Sequence, residues 1–538
     1  VVVACVLWLW PLPLAPASTL LVEPDPFLSG AHEVWLAWLL RATPWTDLSE
    51  LRTRLVMPPE GVDLRYYHEW LTAGAGALIS ALGEGLGLAR LRSLVLGVNL
   101  AHLTGLVLSA LAVQRSARAL GASRVAEALA VTALLCSPLL RGLAALANPE
   151  QLWVGLVLMT VHEVVLSKGH PVARGLRAGL WGLLAGLATR YLFLGTAGAL
   201  AVLLVGTLAT RDRRASAAAG LALLLLGLVG LFLGWPQLMA PSTAPALELA
   251  RPVVPTPLDL LLPTVVYDTS LRPAVENHAY STYVGLTLLV CATVSAVRGG
   301  HRERLIYGTG LALLVAGLGW QTPGGLPLPL AGVAAVVPVI ENLHAPHRFV
   351  LCAQLLFAAL VGLRATGHLR WVVAVGLIVE GAVAARGLLP FPVAPLPSPP
   401  ALLTGAGAPD EGALAELVSD EDLRSSHHME MHRQLRQLVH GRPLLQMPSW
   451  PGGGTEPAVP GLDRAVRRAT VDAVHALPPD QGGRVELPAP SPLAEAALRG
   501  LRWVIVLEPP DQARMRLCEL PPEDRGTVLL CSAPGAAE

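Results

Sequence analysis

Long apolar runs separated by short basic loops fill the first 390 or so positions, and most runs are close to the ~20 residues a helix needs to cross a bilayer. Read in order, they predict helices over 1–22, 92–113, 125–145, 149–166, 175–189, 191–209, 215–237, 281–297, 304–320, 347–363 and 371–388. The first run is followed by a segment, 23–91, too polar to cross continuously. Within it, Ala31–Leu40 puts Val34, Trp35, Trp38 and Leu39 on one helical face, the pattern of an interfacial helix with tryptophans at headgroup depth. Leu71–Leu88 is apolar but glycine-rich and carries Glu84, and reads as a second helix that lies on the surface or inserts partly. After the last run comes a proline-rich linker, 389–402, and then a polar region, 403–538. There Asp420–Val439 has helical character, whereas Trp503–Leu507 and Thr527–Cys531 have the β-branched, apolar character of strands. The predicted fold class is an all-α polytopic membrane bundle of about eleven transmembrane helices, residues 1–388, with a small α/β soluble C-terminal domain.

Composition agrees with a membrane protein. Of 538 residues 53% are hydrophobic and 14% charged, with a mean hydropathy of +0.54. The net charge is zero, which leaves no electrostatic support for binding nucleic acid. Basic residues set the orientation: Arg115, Arg118 and Arg124, then Lys168, Arg174 and Arg177, Arg211, Arg213 and Arg214, Arg298, Arg302 and Arg304, and Arg364 and Arg370 fall in alternate loops. By the positive-inside rule those loops are cytoplasmic, and the segment 23–91 and the C-terminal domain are external. No basic flank precedes the first run, which continues past the small-x-small triplet Ala15-Pro16-Ala17, so it is read as a retained anchor rather than a leader. Cys5, Cys136, Cys291 and Cys352 each stand alone in apolar runs and read as core residues, while Cys518 and Cys531, in the polar tail, are able to pair if that tail is outside the cytoplasm.

Chemistry-bearing residues collect where the apolar runs end. The stretch LVEPDPFLSGAHEVW, Leu21–Trp35, brings Glu23, Asp25 and Glu33 together with His32 just past the first run. Arg190, in ATRYLF, lies between two runs, and Arg348 opens another after His344 and His347. Asn148 and Glu150 begin a further run, where Asn-Pro-Glu is also a good helix start. The long loop before residue 281 carries Tyr267, Asp268 and His278 and has the length of a flap over a cleft. His427, His428, His432 and His440 crowd one part of the tail and read as a solvated helix face. No Walker loop, GxSxG, HExxH or dinucleotide fingerprint occurs.

An acidic first external loop, surface helices ahead of the second span, alternating short loops and a soluble C-terminal domain together resemble the GT-C superfamily of membrane glycosyltransferases. EPDPFLSGAHEVWLAW, MPPEGVDL (Met57–Leu64), NPEQLW (Asn148–Trp153), ENLHAPHRF (Glu341–Phe349) and MHRQLRQLVHGRPLL (Met431–Leu445) resemble a bacterial branch that includes YfhO-like proteins. The resemblance implies transfer of a hexose or pentose from a polyprenyl-phosphate-linked donor to an envelope acceptor at the external leaflet of the inner membrane. It implies a carboxylate base, for which Asp25, Glu33 and then Glu23 are the candidates. Arg348 and Arg190, with His347 and His344, would hold the lipid phosphate, and Glu150, Asn148, Tyr267, Asp268 and His278 would complete substrate binding. No cofactor is fixed; a divalent cation near Asn148 and Glu150 is the one candidate. A transporter or flippase for a lipid-linked substrate, and a catalytically silent envelope-assembly protein on the same fold, are the alternatives.

Overall fold

The computed structural model describes residues 1–21, 31–56, 62–66, 69–145, 149–239, 283–319, 327–336 and 346–385 of the bundle. Of the tail it describes 391, 393–396, 413–417, 437–438, 442, 470, 473–474, 476–478, 481, 483–486, 501–508, 514–519, 528–532 and 535–536. The helix expected at Asp420–Val439 lies outside these, apart from Gln437 and Leu438, which are helical.

The first apolar run is not one helix. It forms α1 (Val2–Trp8), a 3-10 turn (Leu12–Leu14) and a short strand, β1 (Thr19–Leu21). Pro11, Pro13 and Pro16 are the reason: each lacks an amide proton and clashes with the preceding turn, so the apolar composition cannot become a continuous span. The polar segment that follows forms α2 (Ala31–Ala42), α3 (Trp45–Ser49), the strand pair β2 (Arg52–Thr53) and β3 (Val62–Asp63), and α4 (Trp70–Gly85). The surface placement expected for α2 is also corrected. Every side chain from Ala31 to Leu39 is buried, Trp35 and Trp38 included, because α4, the next helix and Leu438 of the tail close around it.

The bundle continues with α5 (Arg90–Ala119), α6 (Arg124–Leu135), α7 (Pro138–Ala145), α8 (Gly155–Val165), α9 (Pro171–Ala188), α10 (Arg190–Ala209) and α11 (Arg213–Met239). It closes with α12 (Leu286–Arg298), α13 (His301–Gly317), α14 (Pro329–Val336), α15 (Arg348–Ala358) and α16 (Leu369–Ala384). Among the described residues α5, α10 and α11 are long and apolar enough to cross a membrane, and α6 with α7, bent by 47°, makes a fourth candidate. This is a multi-pass membrane protein, and the described residues do not show eleven full spans. Several predicted spans form shorter helices; α8, with every residue buried, faces protein on all sides and has no lipid to span.

Small residues set the packing. A side chain on Gly97 of α5 would run into the backbone oxygen of Gly76 on α4, and Gly175, Gly179 and Gly182 of α9 receive Leu221, Leu225 and Leu226 of α11. Ser109 of α5 donates to Leu152 O and accepts from Gly155 N, both at 2.7 Å, tying α5 to the start of α8. Leucines and valines of α11, α12 and α16, such as Leu224, Leu228, Val290, Val297, Val372 and Val379, stay exposed on the outside, the surface a bilayer covers.

The loops predicted to be cytoplasmic meet at one end. Buried Glu163, at the end of α8, pairs with Arg177 (2.8 Å) and Arg115 (3.8 Å). Arg174 donates to Glu163 O and feels the charges of Asp212 and Arg302, while Arg364 reaches Glu303 at 3.5 Å.

The tail returns to the opposite end. The linker strand β4 (Val393–Pro395) pairs antiparallel with β1, Thr19 opposite Pro395. Beyond it, β5 (Ala413–Leu417), β6 (Gly483–Glu486), β7 (Leu501–Glu508), β8 (Arg514–Glu519) and β9 (Val528–Cys531) form a sheet in the order β5-β7-β8-β9-β6, with β10 (Gly535–Ala536) on β8. Cys518 and Cys531 are opposite one another on β8 and β9 and form a disulfide.

The close approach of α4 to α5 gives a direct test. Gly97→Val forces the two backbones apart and is expected to destabilise the bundle by about 3 kcal/mol, near the upper end for overpacking, read as a lower midpoint in detergent-solubilised thermal unfolding. An unchanged midpoint would show that this helix pair is not tightly packed.

Candidate active site

Four of the residues singled out in the sequence come together, at the end of the bundle opposite the arginine-rich loops. Glu33 lies in the first turn of α2, Glu150 in a 3-10 turn (Pro149–Trp153) leading into α8, Arg190 at the first position of α10, and Arg348 at the first position of α15. The 20 residues of α10 separate this level from the basic end by ~30 Å at 1.5 Å per residue, about the thickness of the hydrocarbon core.

Glu33 and Glu150 are each 2% exposed, and a third carboxylate, Glu69 at the N-cap of α4, is 5% exposed. Glu69 is held at φ +62°, a left-handed conformation that costs a non-glycine residue about 1–2 kcal/mol and is concentrated at functional sites. His32 Nε2 stands 3.5 Å from its carboxylate. Arg348 reaches Glu150 at 3.9 Å and lies over the Tyr191 ring, 4.4 Å from the centroid. Arg190 is within electrostatic reach of Glu69. Buried His347 is the N-cap of α15. Trp153 donates to Thr72 at 3.0 Å, which fixes the Glu150 turn against α4.

Three carboxylates buried together cannot all be ionised cheaply. Desolvation above all, then the neighbouring Glu150 and Glu69, push the Glu33 carboxyl well above the usual range. Desolvation and Glu69 push Glu150 up to about 7, against the opposing pull of Arg348. Glu33 Oε2, Glu69 Oε2, Gln151 Oε1 and Arg348 Nε are buried without a hydrogen-bond partner among the described residues. The three oxygens suit ligand hydroxyls, while Arg348 Nε, beside an aromatic ring and a second guanidinium, suits an anionic group.

Glu69 and Tyr191 are the members that sequence reasoning passed over. The only signal for Glu69 was a lone acid in YYHEW immediately before the glycine-rich helix, and Tyr191 was the residue after Arg190. Glu23, Asp25, Asn148, Tyr267, Asp268, His278 and His344 lie outside the described residues. Among the described residues no three His, Cys, Asp or Glu side chains are grouped to hold a metal ion, and Asn148, paired with Glu150 in the divalent-cation idea, lies outside them.

No protein-family model matches the chain, and no curated protein matches it. Among solved structures, the cryo-EM structure of the arabinofuranosyltransferase AftD from mycobacteria is similar over 94% of this chain and 36% of that one, with 16% identity and a TM-score of 0.47. The chain thus spans little more than a third of that protein, and at this distance the likeness stands as a likeness only.

The Glu150 shift fixes the sign of a pH effect. The folded chain keeps a proton that the unfolded chain releases above the ordinary value of 4.5, so this group's contribution to stability is full below 4.5 and is lost as pH rises through about 7. Glu150→Gln is expected to flatten the fall in thermal midpoint across that window; an unaltered slope would place the titrating group elsewhere.

Proposed function

We propose that this protein is a GT-C-type membrane glycosyltransferase, with the site at the Glu33, Glu69 and Glu150 cluster and its donor a sugar linked to polyprenyl phosphate. The observation that supports it most is the meeting, on one bilayer-boundary level of an apolar bundle, of buried carboxylates with two arginines. Bases and phosphate holders are what this chemistry requires, and each is placed at a helix start where the positive end of the helix favours an anion. The narrower likeness to YfhO-like proteins rests on the sequence motifs alone.

In this reading the acceptor hydroxyl attacks the anomeric carbon, the new C–O bond forms as the bond to the phosphate oxygen breaks, and polyprenyl phosphate leaves. Glu33 takes the hydroxyl proton; its raised proton affinity makes it a strong base once ionised. Asp25 and then Glu23 are the next candidates. Arg348, braced on Tyr191 and Glu150, and Arg190 stabilise the charge that grows on the departing phosphate. His347, His344, Asn148, Tyr267, Asp268 and His278 complete the substrate-binding set. The cluster faces the external side, with the arginine-rich loops in the cytoplasm and the disulfide-bearing sheet in an oxidising compartment.

The test is transfer from a panel of farnesyl-phosphoryl pentoses and hexoses, labelled in the sugar, to membrane glycan extracts. Glu33→Gln is expected to lower kcat by about 10²–10⁴ and Arg348→Ala by about 10²–10³, with both proteins folded. Wild-type transfer is expected to rise with pH as the cluster ionises. Donor binding without transfer across the panel, or full transfer in Glu33→Gln, would turn the reading toward transport or a silent scaffold in the first case and remove Glu33 as base in the second.

A further inference from the structure

The C-terminal tail reaches into the packing of the helix that carries Glu33. Gln437, fully buried, accepts a hydrogen bond from Trp35 Nε1 at 2.6 Å and donates to Leu55 O at 2.8 Å and to Arg442 O at 3.0 Å. Its amide therefore spends its oxygen on α2 and both hydrogens on backbone, one on the first polar segment and one on the tail itself. Leu438 beside it is buried among Trp35, Trp38, Val56 and Leu64.

Trp35 in turn packs beside a residue of the cluster. Its ring lies 5.7 Å from the His32 ring, and His32 faces Glu69. Glu33 is the residue between that histidine and the rest of α2. On the other side of the acidic stretch, the same tail holds β1 through β4, with Leu396 N donating to Ser18 O at 2.8 Å and Phe391 N to Trp10 O at 3.0 Å. Both flanks of residues 22–30 are thus fastened to one C-terminal segment, some 370–410 positions away in sequence. A buried hydrogen bond over that separation fixes the rotation of a helix far more sharply than apolar contact does, because turning α2 strands the Trp35 N–H and the Gln437 oxygen together.

We infer that Gln437 is a positioning residue for the carboxylate site, setting the rotation of α2 through Trp35 so that His32 and Glu33 face Glu69 and Glu150. The inference rests on the proposed reaction for its kinetic arm and on geometry alone for its chemical arm. The tail is then part of the site's construction.

The experiment uses the full-length protein with Gln437→Met, which keeps the volume and removes the amide, Trp35→Phe, which keeps a ring and removes the N–H, and the double variant. In the kinetic arm each single variant is expected to lower kcat for the best farnesyl-phosphoryl sugar about tenfold with KM within twofold, and the double variant to be no worse than Gln437→Met alone, since the bond that Trp35→Phe removes is already lost there. In the chemical arm, which needs no activity, Glu33 is labelled with a water-soluble carbodiimide and quantified by mass spectrometry; each variant is expected to change its labelling at least fivefold, and a Leu78→Ala control on the outer face of α4 not to. If no sugar is transferred even by the wild type, the reaction proposal falls while the labelling still decides the positioning role. Labelling within twofold of wild type in folded variants, or fully additive losses of kcat, would overturn it and leave Gln437 as a packing residue only.

Discussion

A carboxylate removed from water must find opposite charge or keep its proton, and at the non-basic end of this bundle three of them face that choice together. Glu33, Glu69 and Glu150 cannot be brought to one level unless cations arrive with them, and the fold supplies Arg190 and Arg348 from the starts of two different helices. The supply is incomplete: Arg348 sits 3.9 Å from Glu150, a loose pair, and its Nε is unspent. A structural network would close such contacts, since a half-satisfied buried network costs more than an apolar core of the same shape. The other end of the bundle shows what closure looks like, with Glu163 held at 2.8 Å by Arg177 and Glu127 gripped twice by Arg118. Contrast between the two ends is the physical basis for treating one as scaffold and the other as site.

The scaffold makes that contrast possible by fixing the helix starts. Glycines on α5 and α9 let neighbouring backbones approach, Ser109 ties α5 to the turn that bears Glu150, and Trp153 ties the same turn to α4 below Glu69. None of these groups is chemical in character. Each removes a degree of freedom from a residue that is, and the left-handed backbone at Glu69 shows that the surrounding packing is firm enough to hold a strained conformation.

What the sequence revealed followed a physical rule, that charge beside an apolar run stands out. Glu33, Glu150, Arg190 and Arg348 were legible because each adjoins such a run, and the structure brings these four together. Glu69 was not, because the run it precedes is glycine-rich and carries Glu84, so it does not stand out as a span, and the left-handed turn at Glu69 leaves no mark in the sequence. The first apolar run misled for the opposite reason: hydropathy sums composition and is blind to Pro11 and Pro13, which break the helix after Trp8. Trp35 and Trp38 misled because amphipathic spacing shows that a face is apolar without showing whether lipid or protein covers it. Here the cover includes Leu438, some 400 residues on, and no local pattern could carry that information.

That long-range cover also bears on how the molecule is put together. Trp35 of α2 and the backbone of Leu55, both in the first polar segment, hydrogen-bond to Gln437 of the tail. Each of these bonds contributes about 0.5–1.5 kcal/mol to holding the segment against the tail. If Gln437 sets the rotation of α2 through Trp35, the geometry around Glu33 depends on a residue 402 positions beyond that tryptophan.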